Sequence, residues 1–506
     1  MLKKKLLLLL ASLTVFFNSQ TTFGQYKLVS SNLSETSSGN SRSELATQSS
    51  NGRYVAFASG ANNLLPNINN SHGQIYVRDM ETGNLELVSV NHSQTGEGNG
   101  GSRDVKISAN GRHVVFHSTA TNLVASTSGI QPSNESRLFV RNLETATTYL
   151  VQQPQILRAY LVKPFFYGPS LSISSDGRFV AFEFIFYKNR IQFSGQKWGI
   201  QVSEVFLWDR ETGQTRLVSK NAPLRFDVQI RSHLLATTPD GRFIVFTNSS
   251  YQLQPETAPF LGIFLYDVTT NEIEQIDMRL PNTQDSAYGG GLARISNDGR
   301  YVVFEHSSRN LTDIPENHPG QDIYIRDRIS QTTRLVSSNY SQIAPANNQS
   351  FLFSISSDAR FVVFASHAKD LILDHPTGHH SDVFVWDALN GSKICASRDI
   401  LNLGSEPNGY FGAEISDKGD NVMIHTAKAP QDIYYSLISE VFVFNTITNQ
   451  TNLISNFPGS STMGRIVRPS ISRDGRRIVF QTELPLLSID NNNNFDIYSY
   501  SFGKGF

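Results

Sequence analysis

The sequence predicts an all-β fold, a single eight-bladed β-propeller of four-stranded blades. Three observations predict it. A polar-(Asn/Asp)-Gly-Arg-aromatic-Val-x-Phe pattern recurs with a period near sixty residues along the 506-residue chain. A second pattern, (Ile/Val/Leu)-aromatic-hydrophobic-x-(Asp/Asn), follows every copy of the first. No helical periodicity of useful length appears beyond the N-terminal segment. A four-stranded unit of this size cannot bury both faces alone, and radial stacking around an axis covers them.

The first residues form an address. Lys3, Lys4 and Lys5 precede the apolar run 6–17 (LLLLLASLTVFF). A spanning helix needs about 20 apolar residues, so this run is too short to cross a membrane. It fits a secretory signal peptide over 1–24, with Thr22 and Gly24 as the small residues before a cleavage site. No cysteine follows to carry a lipid. The expectation is a periplasmic or secreted protein without a membrane span, whose propeller occupies 25–506.

Eight copies of the first pattern centre on Gly52, Gly111, Gly177, Gly241, Gly299, Ala359, Gly419 and Gly475, with steps of 59, 66, 64, 58, 60, 60 and 56 residues. Asn-Gly or Asp-Gly between β-branched and aromatic runs predicts a two-residue type I′ hairpin between strands A and B. The second pattern begins at Ile75, Leu138, Val205, Ile263, Ile323, Val383, Val441 and Ile497, and supplies strand C. Strand D is clearest as Leu-Val-Ser at 87–89, 217–219 and 335–337. The recurrent Asp79, Asp209, Asp267, Asp327 and Asp387 are expected to cap the C–D turns, since a catalytic residue is needed once rather than five times.

The eighth set ends without a D strand. Tyr26-Lys27-Leu28-Val29-Ser30 has the D pattern, and Ser30 lies 22 residues before Gly52, the spacing that also separates Ser89 from Gly111 and Ser219 from Gly241. The N-terminal strand should therefore complete the last blade. The alternative is seven blades plus a degenerate repeat, since Lys418-Gly419-Asp420 departs most from the pattern.

These motifs resemble the TolB-type, WD-repeat-like propeller repeat, over essentially all of 26–506. The resemblance implies a scaffold for protein contacts, a periplasmic component, or the propeller half of a peptidase. TolB itself carries an α/β domain before its propeller, and the blades leave no room for one here.

Composition narrows the partners. Lys plus Arg is 43 against 44 Asp plus Glu, a net charge of −1, which gives no support to nucleic-acid binding. One cysteine, Cys395, excludes a disulfide framework and any CxxC pair, and is expected to be a small buried strand residue. There is no Gly-x-Ser-x-Gly elbow, His-Glu-x-x-His or phosphate loop.

Strand alternation puts the A–B and C–D turns on one face of the ring and the B–C and D–A connections on the other. Length varies only on the second face, which is therefore the expected functional face. The connection into blade 3 carries Arg158, Tyr160, Phe165, Phe166 and Tyr167, and the blade 3 B–C loop carries Lys188, Arg190 and Trp198. Aromatics interleaved with cations suit a protein or glycan partner, or they pack the loop onto its own blade. The chain is expected to be a monomer with no cofactor. Three oxygen-rich loops leave calcium open: Asp374–Asp382 with His375, His379 and His380; Asp313, Glu316 and Asp322; and Asp490–Asp496. The leading functional expectation is a non-enzymatic interaction scaffold. The alternatives are a hydrolase or lyase with its site at the central channel, and a calcium-stabilised surface protein.

Overall fold

A computed structural model describes residues 24–69, 72–125, 136–152, 170–193, 196–219, 231–249, 262–280, 289–307, 310–314, 320–375, 381–400, 409–428, 438–455 and 465–503. Within strands, it describes backbone alone at 186–193, 196–201, 409–411, 427–428 and 438.

Eight four-stranded antiparallel sheets follow one another along the chain. The seventh is a complete sheet, Gly409–Ile415, Asn421–Lys428, Ile438–Asn445 and Gln450–Leu453, so the seven-bladed alternative falls. The eighth joins both ends of the chain. Its strands A to C are Ile466–Ile471, Arg477–Thr482 and Asp496–Ser501, and its strand D is Gln25–Leu28. The register runs Gln25↔Ser501, Tyr26↔Tyr500, Lys27↔Ser499 and Leu28↔Tyr498. The seam is noncovalent and antiparallel, as the 22-residue spacing requires.

The A strands are innermost. Each lies against the A strand of the next blade, and that of blade 8 against that of blade 1, so the cycle closes. Between successive blades lies a separate apolar layer. Val55, Phe57 and Tyr76 of blade 1 pack on Val479 and Ile497 of blade 8. Ala56, Ile75 and Val77 pack on Val105, Val114 and Phe116 of blade 2. The core is thus eight layers between sheets, each held by nearest neighbours. The patterned aromatics of strands B and C pair directly across the ladder. Phe57 lies on Tyr76 at 5.8 Å between ring centroids, Phe304 on Tyr324 at 5.8 Å and Phe480 on Tyr498 at 6.1 Å.

The A–B connection differs from the expected type I′ turn. Ser49 N–H still pairs with Tyr54 C=O, so four residues, Ser50 to Arg53, form the loop. Gly52 N–H donates to Ser49 C=O, and Gly52 has φ +66° while Asn51 has no positive φ. This is a type I turn closed by a left-handed glycine. Two side chains select it. The Ser49 hydroxyl donates to Asn51 Oδ1 and accepts from Tyr54 N–H, while Asn51 Oδ1 also accepts from Arg53 N–H. The same pattern recurs at Ser174/Asp176, Thr238/Asp240, Ser296/Asp298 and Ser356/Asp358. In blade 6 the left-handed position falls to Ala359, at φ +55°.

These turns also lock the blades together. A backbone hydrogen bond of 2.6–3.3 Å links the turn of one blade to that of the next at seven of the eight junctions, from Ser50 N–H to Ala109 C=O round to Asp474 N–H to Ser50 C=O. The junction between blades 4 and 5 lacks one because Pro239 stands at the donor position and has no N–H.

Candidate functional site

The recurring aspartates are structural, with a partner that sequence reasoning missed. Asp79 Oδ1 accepts from Glu81 N–H and so caps the C–D turn as expected. Its carboxylate also takes the Arg53 guanidinium at 2.8 Å, and Arg53 lies 5.0 Å over the Tyr54 ring. Arg178–Asp209, Arg242–Asp267, Arg300–Asp327 and Arg360–Asp387 repeat the pair. Burial alone would raise the Asp79 carboxyl, but the Arg53 bond and the turn amides bring it down to about 2. The Met80 N–H bond to Arg53 C=O, 2.7 Å, places both turns on one face.

The strand D serine is equally structural. Ser337 Oγ accepts from Ile323 N–H at 3.0 Å and donates to Asp322 Oδ1 at 2.6 Å. Ser89 does the same to Ile75 N–H and Gln74, and Ser397 to Val383 N–H and Asp382. Across the seam, Ser30 Oγ accepts from Ile497 N–H and donates to Asp496 at 2.5 Å. The blade built from both chain ends therefore uses the same clasp as the others.

On the opposite face, D–A segments bond to B–C loops. Asn40 reaches Asn62 and Asn63, Asn99 reaches Thr121 and Asn122, and Asn347 N–H donates to Asp370. Blade 3 breaks the uniformity there. The segment expected to be a loop is a two-stranded ribbon. Strand B runs Phe179–Phe193 and strand C Gln196–Asp209, against six residues each in blade 1. Pairing continues through Lys188↔Ile200 and Ile191↔Trp198 to Phe193↔Gln196, with a bulge at 189–190. Strand A pairs only with 180–182 and strand D only with 206–209; beyond Phe184 and Glu204, the edges of the ribbon have one further β partner among the described residues, the parallel bridge from Ser203 to Arg231. About nine extra residues at ~3.3 Å each carry it ~30 Å beyond the blade. Its base is tied to blade 4: Ser203 Oγ lies 2.6 Å from Glu183 Oε1 and 2.7 Å from Ser232 C=O, and Glu183 takes His233 Nδ1 at 3.0 Å.

Lys188, Arg190 and Trp198 thus lie on the ribbon backbone, Arg190 in the bulge. Arg158, Tyr160, Phe165, Phe166 and Tyr167 lie outside the described residues.

The oxygen-rich loops resolve unevenly. His379, His380 and Glu316 lie outside the described residues. His375 Nε2 lies 3.4 Å from Asp382. The 490–496 loop secures the seam: Asn492 Nδ2 donates to Gly39 C=O, Ser38 Oγ and Asp496 Oδ2, and Tyr498 O–H donates to Asp490. Burial, first of all, raises the Asp496 carboxyl to about 7. Among the described residues no three His, Cys, Asp or Glu side chains converge as a metal site. Cys395 is buried, and burial pushes its thiol up to about 12, against a reactive role. No helix among them is long and apolar enough to cross a membrane.

The channel holds residues that sequence reasoning passed over. Counted back from each turn glycine or its Ala359 counterpart, the fifth residue is Thr47, Lys106, Ser172, Ala236, Arg294, Ser354, Glu414 and Ser470 around the ring. Five are small, and the three long ones are charged and come from blades 2, 5 and 7. Two residues further back, blade 8 carries Arg468 and blade 2 Asp104. Lys106 and Arg468 are exposed although they sit on innermost strands, so these strands border water. Glu414 Oε2 accepts from Ile471 N–H at 3.0 Å. The offset from the glycine is the signal that singles these residues out.

No protein family matches the sequence, and no curated relative does either. Solved structures are similar in shape. An oligogalacturonate lyase from Vibrio parahaemolyticus is 12% identical, with 79% of this chain and 89% of that one covered and a TM-score of 0.45. The Dos1 propeller is 11% identical, with 93% and 94% covered and a TM-score of 0.45. A prolyl endopeptidase is 10% identical with a TM-score of 0.49; the match covers 92% of this chain and spans 57% of that one. Likeness at this level carries no functional inference, and the propeller assignment rests on the eight sheets themselves.

Proposed function

We propose that this protein is an extracytoplasmic, TolB-like interaction propeller whose protein partner docks on the B–C/D–A face at blade 3. The blade 3 ribbon carries this reading. Two strands without a third are marginal in water, and their edges invite pairing. A ribbon of 29 strand residues, rooted by Glu183 and Ser203 and extending beyond the ring, supports a contact device rather than a connection. Lys188, Arg190 and Trp198 on it, with Arg158, Tyr160, Phe165, Phe166 and Tyr167 before it in the chain, are the proposed contact residues.

The test removes the ribbon and keeps the blade. Replacing 188–200 with Asn-Gly would join Tyr187 to Gln201, which already face each other, through a two-residue hairpin. The shortened protein should melt within ~2 °C of the parent, since the ribbon adds no core layer. Affinity capture from periplasmic and extracellular fractions should retain a protein on the parent and lose it on the shortened form. Equal retention by both would overturn the reading. The second reading, a channel hydrolase or lyase, draws support from the Glu414 carboxyl, which feels the charges of Lys106 and Arg294.

A further inference from the structure

The geometry points to a second site, independent of the ribbon: the lumen binds a small carboxylate ligand between Lys106, Arg294 and Arg468.

The A–B mouth of the lumen is crossed by one side chain. At the A–B face, the turns encircle the axis and are hydrogen-bonded to one another at seven of the eight junctions. Arg473 Nη1 of blade 8 reaches across this mouth to Asn297 Oδ1 of blade 5 at 3.4 Å.

About 10 Å above this mouth, three strand residues along, lies the level of Lys106, Arg294 and Glu414. Blades 2, 5 and 7 are not neighbours, so the fields that Lys106 and Arg294 exert on Glu414 cross the lumen. Arg468, one level higher, acts on both Lys106 and Asp104. The two signs are satisfied differently. Glu414 accepts from Ile471 N–H and is bonded by Ser470, and Asp104 lies 3.5 Å from both Arg103 and His117. Among the described residues, the side chains of Lys106 and Arg468 have neither a hydrogen bond nor a carboxylate within 4 Å, and the guanidinium of Arg294 bonds only to the backbone C=O of Ala293. Enclosure, the largest cause in each case, lowers the Lys106 and Arg294 pKa values and raises that of Glu414. These are cations held with less water than at the outer surface, in a chain of net charge −1. An entering carboxylate restores what enclosure removes, and planar Arg294 and Arg468 suit that group. The small residues Thr47, Ser172, Ala236, Ser354 and Ser470 leave the same level open to a compact ligand.

The experiment titrates citrate into the full protein by calorimetry at low ionic strength. Trimethyl citrate is the uncharged counterpart, and tetraglutamate separates a compact acid from an acidic chain. Citrate should bind and trimethyl citrate should not. Lys106→Met and Arg294→Met should each weaken citrate at least tenfold, while Arg112→Met at the rim leaves it unchanged. Glu414→Gln should tighten it several-fold, an outcome that a purely structural role would not produce. Near-ultraviolet circular dichroism confirms folding, and solvent-exposed Lys106 is the substitution least able to disturb it. Tetraglutamate binding with the same dependence on Lys106 would reassign the source to an acidic chain end while keeping the site. Absence of citrate binding, or binding indifferent to both Met variants, would overturn the proposal. The ribbon-shortened protein should bind citrate like the parent, which separates this site from the docking face.

Discussion

The two faces of the ring are built from one repeat, yet they have diverged in opposite ways. On the A–B/C–D face nearly every blade carries the same serine-capped turn, and five carry the same Arg–Asp pair. On the B–C/D–A face, blade 1 closes strand C with six residues while blade 3 extends a ribbon of 15 and 14. The difference teaches where change is tolerated. The first face carries hydrogen bonds that tie blade to blade, so a substitution there acts on two blades at once. The second face also bonds blade to blade, as Ser102 N–H to Gly73 C=O does, but its connections vary in length from one blade to the next.

The largest break in that comparison should come from one methyl group placed on either face. Gly111 has φ +75°, and a Cβ there would collide with the Tyr54 ring of the preceding blade. Gly111→Ala should cost about 2–4 kcal/mol, combining left-handed strain with overpacking. Gly73, at φ +80° on the other face, has nothing within 4 Å of such a Cβ, so Gly73→Ala should cost only about 1 kcal/mol. Urea unfolding of the two variants checks the ratio; equal losses would erase the distinction between faces.

A smaller effect sharpens it from within the blade. Ser337→Ala leaves the buried Ile323 N–H and an Asp322 oxygen without the hydroxyl that joins them, at about 1–3 kcal/mol. Ser30→Ala removes the same clasp at the seam, so it should cost a similar amount if the noncovalent blade is energetically an ordinary one.

The last effect is a slope with pH, at most about 1.4 kcal/mol per pH unit for each group. Asp79 and Asp267 fall to about 2 when folded. Their contribution is complete above pH ~4 and is lost as pH falls toward 2. Asp496, raised to about 7, has the opposite sign: between pH ~4 and 7 the folded state holds a proton that the unfolded state releases, so stability declines as pH rises. Melting temperatures from pH 4 to 8 should show that decline, and Asp496→Asn should flatten it.

Much of this architecture was legible because it is repeated. The spacing from Ser30 to Gly52 located the seam, and the Gly and Phe positions located strands A and B, since each depends on local backbone preference and cross-strand packing. The turn type was misjudged because Asn-Gly alone favours type I′, whereas the serine two residues before the Asn redirects that side chain into the loop. The ribbon was hidden because Ile185–Phe193 mixes aromatics and cations as a packed loop would. The lumen trio Lys106, Arg294 and Glu414 stands 188 and 120 residues apart, and only closure of the ring brings it to one level.

The seam imposes an order on the molecule's assembly. Gln25 pairs with Ser501, so the first of these two strands must wait while the 475 residues between them are made. Until then Tyr26 and Leu28 have no ladder, and blade 8 cannot cover its neighbour. Contacts this distant in sequence are slow to form, and unpaired strands are prone to mispairing. The closing step is therefore the one at which a helper that shields a nascent β-edge would act.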